Sequence, residues 1–235
     1  MNLAVFDVDG TLLQNHSLED ECYAAALRDV LGLRALDVDW TQYHDVSDAG
    51  IAVEAFRREF ASPPSEVQLG ETVRHFVSLL KAACDADADA IVPVLGAERV
   101  FAALATRGWA VAIATGAWRH AAEFKLSVAG IDYSHIPMAT SEDGPARTSI
   151  IATAQSRAEQ VHCVERFERV VSIGDAIWDV RAASELGLPF IGVGRGARGE
   201  RLQAAGARTV LEDFHDHATL FDALESSGVP LAAAS

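Results

Sequence analysis

Leu3-Ala4-Val5-Phe6-Asp7-Val8-Asp9-Gly10-Thr11-Leu12 is the stretch that decides the fold of this chain. The apolar run from Leu3 to Phe6 predicts a short buried strand. Two aspartates one residue apart follow it, and in an extended chain such residues point to the same side. Their carboxylates repel each other unless a cation or a proton relieves the charge. The stretch indicates either a charged site at a strand end or a strand that ends in a solvated acidic turn.

Bulk composition limits the classes of protein to which the chain can belong. The 235 residues, half of them hydrophobic, suffice for one large domain or for a core with a small insert. No apolar run approaches the ~18 residues of a membrane span, and the N-terminus lacks the basic region of a secretory signal. The three cysteines are widely spaced and fit neither a disulfide framework nor a zinc site. We therefore expect a cytoplasmic protein with no membrane partner.

The charge balance argues against nucleic acid as a partner. The formal net charge is −15, and the only lysines are Lys81 and Lys125. Phosphate backbones are bound by clustered Lys and Arg, which this chain does not offer. A functional cation is therefore expected to be an arginine. Small anionic substrates stay compatible with the composition, since a bound metal ion can make a local site positive.

The segment from residue 15 to residue 90 carries helical patterns and no strand pattern. Ser17 is predicted to cap a first helix that ends at about Leu33. A second helix is predicted to begin at a cap formed by Ser47 or Asp48 and to end at about Phe60, and a third is predicted from residue 65 to about residue 84. We interpret residues 15–90 as an all-α cap inserted into a core that comprises residues 1–14 and 91–235.

From residue 91 onwards, strands and helices alternate. Strands are predicted near residues 109–114, 135–139, 169–173, 190–193 and 209–211, with a helix before the first strand and after each of the five. This order is typical of a parallel sheet covered by helices on both faces. The predicted fold class is therefore α/β, with a Rossmann-like parallel sheet core and an inserted helical domain.

Polar side chains follow several of these strands directly. Thr115-Gly116 follows one strand, Gly174-Asp175 follows another, and Asp179 lies one helical turn beyond Asp175. Ligands of open parallel sheets bind outside the carboxyl ends of the strands. These residues are thus expected to converge with the two aspartates of the opening stretch.

The residue types in this group suit phosphoryl transfer. Asp7, Asp9 and Asp175 offer the hard oxygen ligands that Mg²⁺ prefers, and Asp179 can support them. The Thr115 hydroxyl and the Gly116 N–H can contact an anion, and Arg147 precedes a predicted helix between the later motifs. Arginine binds phosphate bidentately. A metal, a carboxylate nucleophile, a hydroxyl and a guanidinium together describe phosphoryl transfer.

The arrangement resembles the four motifs of the haloacid dehalogenase-like hydrolases, and it covers essentially the whole chain. The motifs are Asp7-Val8-Asp9-Gly10-Thr11, Thr115-Gly116, Arg147 and Gly174-Asp175-Ala176-Ile177-Trp178-Asp179. The segment 15–90 is similar to the helical cap of that superfamily. The resemblance specifies the superfamily and leaves the substrate open.

The resemblance implies a role for each residue. Asp7 would be the nucleophile and form an aspartyl-phosphate, and Asp9 would protonate the leaving oxygen and then activate water. Mg²⁺ would be held by Asp7, the Asp9 carbonyl and Asp175, with Asp179 in support. Thr115 and Gly116 would bind the phosphoryl oxygens.

The third motif departs from the usual pattern. It commonly carries Lys followed by Pro, whereas Arg147 has no following Pro, although its position 28 residues before Asp175 fits. Lys125 is the other candidate for the phosphate-binding cation. It lies in the middle of a predicted helix, and we expect it to be a solvated lysine.

Asp9 decides among the reactions of the superfamily. A dehalogenase needs no acid there, because halide leaves unprotonated, so an Mg²⁺-dependent phosphatase of a small phosphorylated metabolite is favoured. A sugar phosphomutase with the same two aspartates is the alternative. A phospho-aspartate signalling protein or a non-catalytic binding protein represents a different class. A monomer or a homodimer is expected.

Three further expectations concern neighbouring residues. In the cap loop, the polar residues His44, Asp45, Ser47 and Asp48 either select the substrate or only form a loop and a helix cap. Trp178 is expected to be a buried tryptophan, the alternative being that it lines the mouth of the site. The arginines at the start of a late helix are expected to be solvated, namely Arg195, Arg198 and Arg201.

Overall fold

The computed structural model describes residues 1–14 and 18–231, so the expected helix cap at Ser17 lies outside the described residues. The strands are β1 (Asn2–Phe6), β2 (Leu13–Gln14), β3 (Val92–Pro93), β4 (Trp109–Ala114), β5 (Met138–Ala139), β6 (Arg169–Gly174), β7 (Phe190–Val193) and β8 (Val210–Leu211). The helices are α1 (Leu18–Leu31), α2 (Asp48–Phe60), α3 (Glu66–Ala86), α4 (Ala97–Thr106), α5 (Arg119–Val128), α6 (Arg147–His162), α7 (Ile177–Leu186), α8 (Ala197–Ala204) and α9 (His217–Ser226).

Six of the described strands form a parallel sheet with the order β5-β4-β1-β6-β7-β8. Strand β1 lies inside it, paired with β4 on one side and with β6 on the other. The ladder extends one residue past β1, because the Asp7 N–H donates to the Ile173 carbonyl at 2.9 Å. The predicted α/β class is confirmed. The two aspartates of the opening stretch follow a central strand, at the side of the sheet where the carboxyl ends of the strands lie. Strand β5 is shorter than predicted.

Apolar side chains alternate across β1 and fill both faces of the sheet. Ala4 and Phe6 belong to a cluster that includes residues of α4 and α9, whereas Leu3 and Val5 pack in a cluster with residues of α6. Burying a side chain the size of Phe or Leu stabilises the fold by about 1.5–3 kcal/mol. This double-sided core fixes the height and direction of β1, and therefore the positions of the residues that follow it.

Helices α1 to α3, which we call the helical insert, share a third cluster with residues of α5. Tyr23 connects the two parts, since its ring lies 5.5 Å from the ring of Phe76 and 5.5 Å from that of Trp118. Ser47, and not Asp48, caps α2, and its side chain accepts a hydrogen bond from the Gly50 N–H. The insert thus packs beside the carboxyl end of β4.

A short antiparallel ribbon of β2 and β3 stands where the chain leaves for the insert and returns from it. The division into a core of residues 1–14 and 91–235 and a cap of residues 15–90 stays a prediction. In the part of the chain that the structure describes, no helix is both long and apolar enough to cross a membrane.

Candidate active site

Three carboxylates meet at the carboxyl ends of β1 and β6. One oxygen each of Asp7, Asp175 and Asp179 lies within 4.8 Å of the others. Asp7 and Asp179 are buried, with 5% and 4% of their surface exposed. Asp179 is oriented from within α7, where its Oδ2 accepts a hydrogen bond from the Ala176 N–H at 3.1 Å. Three hard oxygen donors in so small a volume fit the ligand preference of Mg²⁺.

Gly10 makes room for this cluster. Its φ is +81°, a conformation that side chains disfavour, and a Cβ at this position would lie 2.0 Å from Asp175 Oδ2. The turn that follows the two aspartates therefore serves to bring Asp175 against the end of β1. The sequence predicted the turn but gave no sign of this close approach.

Arg147 reaches the same volume from the start of α6. Its NH1 donates to Asp7 Oδ1 at 2.8 Å and lies 3.7 Å from Asp179 Oδ1. Its guanidinium also lies against Gly116, since a Cβ there would be 2.8 Å from Arg147 Cζ. Thr115 is buried beside it, with its hydroxyl oxygen accepting from the Ala117 N–H at 3.1 Å. The structure thus brings Arg147 against both Asp7 and Gly116, two of the residues with which the sequence predicted that it would share a site.

Lys125 corrects the expectation of a solvated lysine. Its side chain is fully buried, and its Nζ donates to both oxygens of Asp9 at 2.6 and 2.7 Å and also to Glu19. Burial alone would lower the pKa of Lys125, but Asp9 and Glu19 raise it above its usual value, so the ammonium form persists. A helical pattern was available as a signal, because Lys125 lies one turn after Ala121, on the buried face of α5.

The helical insert contributes two acids to this region. The sequence did not single out Glu19, and it left open whether Asp48 selects the substrate or only forms a loop and a helix cap. Glu19, in the first turn of α1, contacts Lys125. Asp48 Oδ2 accepts a hydrogen bond from the Trp118 N–H at 2.8 Å, and the Asp48 N–H donates to the Gly116 carbonyl at 2.8 Å. Asp48 therefore joins the insert to the loop after β4 that contains Gly116 and Trp118. Asp48 is therefore more than a polar loop residue, since it connects the insert to the residues after β4.

A cavity of about 120 Å³ lies between the insert and the sheet edge. Its acidic lining comprises Asp9, Glu19, Asp20 and Asp48. Arg147 and aromatic residues complete the wall, the latter being Tyr23, Trp40 and Trp178. Asp9 is thus exposed to a cavity whose other acids belong to the helical insert.

Trp178 departs from the expectation of a tryptophan buried in the core. The residue is half-buried at the cavity wall. Its Nε1 is buried and has no hydrogen-bond acceptor among the described residues. Arg198 is exposed, as expected, and its side chain also reaches Asp175 Oδ2 at 3.3 Å.

The carboxylate cluster is electrostatically unbalanced. Burial raises the pKa of Asp7 from 3.8 to about 7, Arg147 opposes this increase, and Asp179 and Asp9 add to it. Burial likewise raises the pKa of Asp175, with Asp7 and Asp179 adding to the effect. Burial also raises the pKa of Asp179, although Arg147 opposes it. A divalent cation would relieve this repulsion.

The thermal stability of the metal-free protein should therefore fall as the pH rises from about 4 to about 7. An acid whose pKa is raised in the folded state binds more protons folded than unfolded between the two pKa values, so the free energy of unfolding decreases with pH there. For Asp7 these values are 3.8 and about 7. Thermal unfolding in EDTA across this range measures the slope, and Asp7→Asn should flatten it. A stability that rises steadily with pH would contradict the burial of these acids.

Comparison with known proteins places the chain in a family. A family model described as haloacid dehalogenase-like hydrolase matches residues 1–187. The chain therefore belongs to the haloacid dehalogenase-like hydrolases, as its motifs indicated. No curated protein matches the chain in sequence.

Solved structures confirm the fold. CbbY from Rhodobacter sphaeroides, determined in complex with phosphate, superposes with a TM-score of 0.66 at 20% identity, over 93% of this chain and 98% of that one. A hydrolase from Pseudomonas syringae gives 0.61 at 20% identity, over 94% and 98% of the two chains. A predicted phosphoglycolate phosphatase from Haemophilus somnus gives 0.61 at 18% identity, over 93% and 97%.

Proposed function

We propose that the protein is an Mg²⁺-dependent phosphatase that hydrolyses a small phosphate monoester through an aspartyl-phosphate. The observation that carries this proposal is the contact of Arg147 with Asp7 at 2.8 Å, inside the volume that Asp175 and Asp179 share with it. This contact supports a role for Asp7 as the nucleophile, with Arg147 as the phosphate-binding cation and Asp175 and Asp179 as metal ligands. The phosphate complex of CbbY, whose fold this chain shares, agrees with such a site.

The first step forms a bond between an Asp7 oxygen and phosphorus and breaks the bond to the leaving oxygen. Arg147 and Thr115 orient the phosphoryl oxygens, while Mg²⁺ held by Asp7, Asp175, Asp179 and the Asp9 carbonyl would supply charge neutralisation. Asp9 gives its proton to the leaving oxygen.

The second step returns the enzyme to its starting state. Asp9 takes a proton from water, whose oxygen attacks the phosphorus of the aspartyl-phosphate, and Asp7 leaves as a carboxylate. Inorganic phosphate is released. A phosphomutase would instead return the phosphoryl group to a sugar hydroxyl, because water is excluded at this stage.

A panel of phosphorylated metabolites, assayed for both free phosphate and isomerised phosphate, tests this function. We expect stoichiometric free phosphate from at least one small monoester. Isomerised product with little free phosphate would refute the phosphatase and show that the protein is a mutase. A stable phosphorylated protein that does not turn over would support a signalling or binding role.

The cavity beside Asp9 also indicates a class of leaving group. Its acidic lining comes from the segment after β1 and from the helical insert, whereas Arg147, the basic residue described in its wall, is already engaged with Asp7. Lys125 lies outside this lining and is engaged with Asp9. Like charges a few ångströms apart near a protein surface repel by about 1–4 kcal/mol. We infer that the leaving group is uncharged or cationic and carries no second anion. The unpartnered N–H of Trp178 would donate to a hydroxyl of such a group.

Three two-carbon phosphate monoesters of similar size test the leaving-group charge: phosphoethanolamine, hydroxyethyl phosphate and phosphoglycolate. We expect kcat/KM for the first two to exceed that for phosphoglycolate by about tenfold or more. Asp20→Asn should narrow this ratio, since Asp20 lines the cavity. A preference for phosphoglycolate, as the name of the Haemophilus somnus structure would suggest, would refute the inference and leave the phosphatase chemistry intact.

A further inference from the structure

The geometry points to Lys125 as the positioning residue for Asp9: its ammonium holds the acid–base carboxyl in the orientation that proton transfer to the leaving oxygen requires. This inference rests on the proposed phosphatase function. It concerns a residue that acts through another and touches no phosphoryl oxygen itself.

The contact is built for orientation. Asp9 directly precedes the turn at residues 10–12, and its two oxygens lie 2.6 and 2.7 Å from Lys125 Nζ. A bond to each oxygen fixes the rotation of the carboxyl plane, which a bond to one oxygen would not. Each carboxyl oxygen can also take part in a further hydrogen bond, so Asp9 remains able to carry and transfer a proton.

Lys125 is itself held in place from the opposite side. Its Nζ also donates to Glu19, and its stem lies on the buried face of α5 with Ala121, Ala122 and Leu126. Because Glu19 belongs to α1 of the helical insert, the orientation of Asp9 is connected to the packing of the insert. A fully buried ammonium between two carboxylates has little freedom to turn away.

Lys125 does not take the part of the phosphate-binding cation. Arg147 holds that position, at 2.8 Å from the nucleophile Asp7. The hydrogen bonds of Lys125 go to Asp9 and Glu19, and it does not line the cavity between the insert and the sheet. The two basic residues at the site therefore have separate roles, one at the phosphoryl group and one at the acid.

Comparing two leaving groups distinguishes a positioning role of Lys125 from a purely structural one, because a structural defect would slow both substrates equally. An alkoxide leaving group needs a proton in the transition state, whereas dinitrophenolate is stable without one. Misplacing Asp9 should therefore slow transfer from an alkyl phosphate far more than transfer from dinitrophenyl phosphate. General acid catalysis contributes about 10²–10⁴-fold to such reactions.

The experiment compares Lys125→Met with the wild-type protein on hydroxyethyl phosphate and dinitrophenyl phosphate. We expect kcat/KM to fall about 100-fold or more for the alkyl ester and less than about tenfold for the aryl ester. Inhibition by inorganic phosphate should be unchanged, because the phosphoryl contacts remain. Lys125→Arg, which keeps the charge and the donors, should recover part of the loss on the alkyl ester.

Lys81→Met is the matched control, since Lys81 is the other lysine of the chain and lies exposed on α3. Equal losses on the two esters, or weaker phosphate inhibition in Lys125→Met, would overturn the positioning role and leave the phosphatase standing. A wild-type protein that hydrolyses neither ester would overturn both proposals. The Mg²⁺-induced rise in melting temperature checks that Lys125→Met retains its carboxylate cluster.

Discussion

Asp7→Asn is expected to reduce phosphate release from an aryl phosphate by about 10⁴-fold or more, to the background rate. An amide oxygen is a far weaker nucleophile than a carboxylate, and loss of a covalent nucleophile removes a whole reaction path. The aryl ester matters, because its leaving group needs little help from Asp9. Initial rates of phosphate release at saturating Mg²⁺ measure the effect.

The same substitution should not unfold the protein. Asp7 is 5% exposed and shares its volume with Asp175 and Asp179, so a neutral amide relieves repulsion while its oxygen can still accept from Arg147. In EDTA near neutral pH, Asp7→Asn should therefore melt at the same temperature as the wild-type protein or higher. Asp222→Asn, at an exposed position of α9, is the matched control. An Asp7→Asn protein within tenfold of wild-type activity would refute Asp7 as the nucleophile.

The parts of the site that the sequence could predict are those set by strand ends. Asp7, Thr115 and Asp175 each follow a strand that the apolar pattern predicts, and parallel strands bring their carboxyl ends to one edge. Asp179 follows from helical spacing after Asp175. For these residues, local pattern and sheet topology together determine the location, so the predicted convergence agrees with the observed positions.

The partners of Asp9 could not be predicted in the same way. Glu19 resembles any acidic residue in the first turn of a helix, and its contact with Lys125 depends on how α1 packs against α5. Lys125 was assigned to solvent from its residue type, although its helical position placed it on the buried face. Two carboxylates offset the cost of burying the ammonium. Residue type is therefore a weaker guide than helical position where opposite charges can meet.

Asp48 shows the same limitation. The sequence allowed Asp48 to be a helix cap or a specificity residue. In the structure Ser47 caps α2, and Asp48 accepts a hydrogen bond from the Trp118 N–H, which lies outside the insert. Burial raises the pKa of Asp48 to about 7, with Lys125 opposing this effect. Burial thus favours the neutral form of this carboxyl, and Asp9 already repels its charged form. A further anion in the cavity would add to that repulsion, which supports the inferred preference for leaving groups without an anion.

Removal of the metal should abolish activity and lower the melting temperature together. With EDTA, phosphate release should fall to background, because Arg147 and Arg198, which contact Asp7 and Asp175, carry only two positive charges against three carboxylates and a phosphoryl group. Excess Mg²⁺ should restore the rate.

The stability change tests the metal site independently of catalysis. Mg²⁺ at about 100 times its dissociation constant adds about 2.7 kcal/mol to the free energy of unfolding, which raises the melting temperature of a chain of this size by about 5–10 °C. Asp175→Asn removes one of the three oxygen donors and should shift both the Mg²⁺ dependence of the rate and the thermal response to higher Mg²⁺ concentration. Potassium chloride at equal ionic strength is the control, since screening alone also weakens repulsion between carboxylates. Full activity in EDTA would refute the metal dependence. If activity depends on Mg²⁺ but Asp175→Asn leaves the Mg²⁺ dependence of the rate and of the melting temperature unchanged, the metal does not bind at the cluster of Asp7, Asp175 and Asp179.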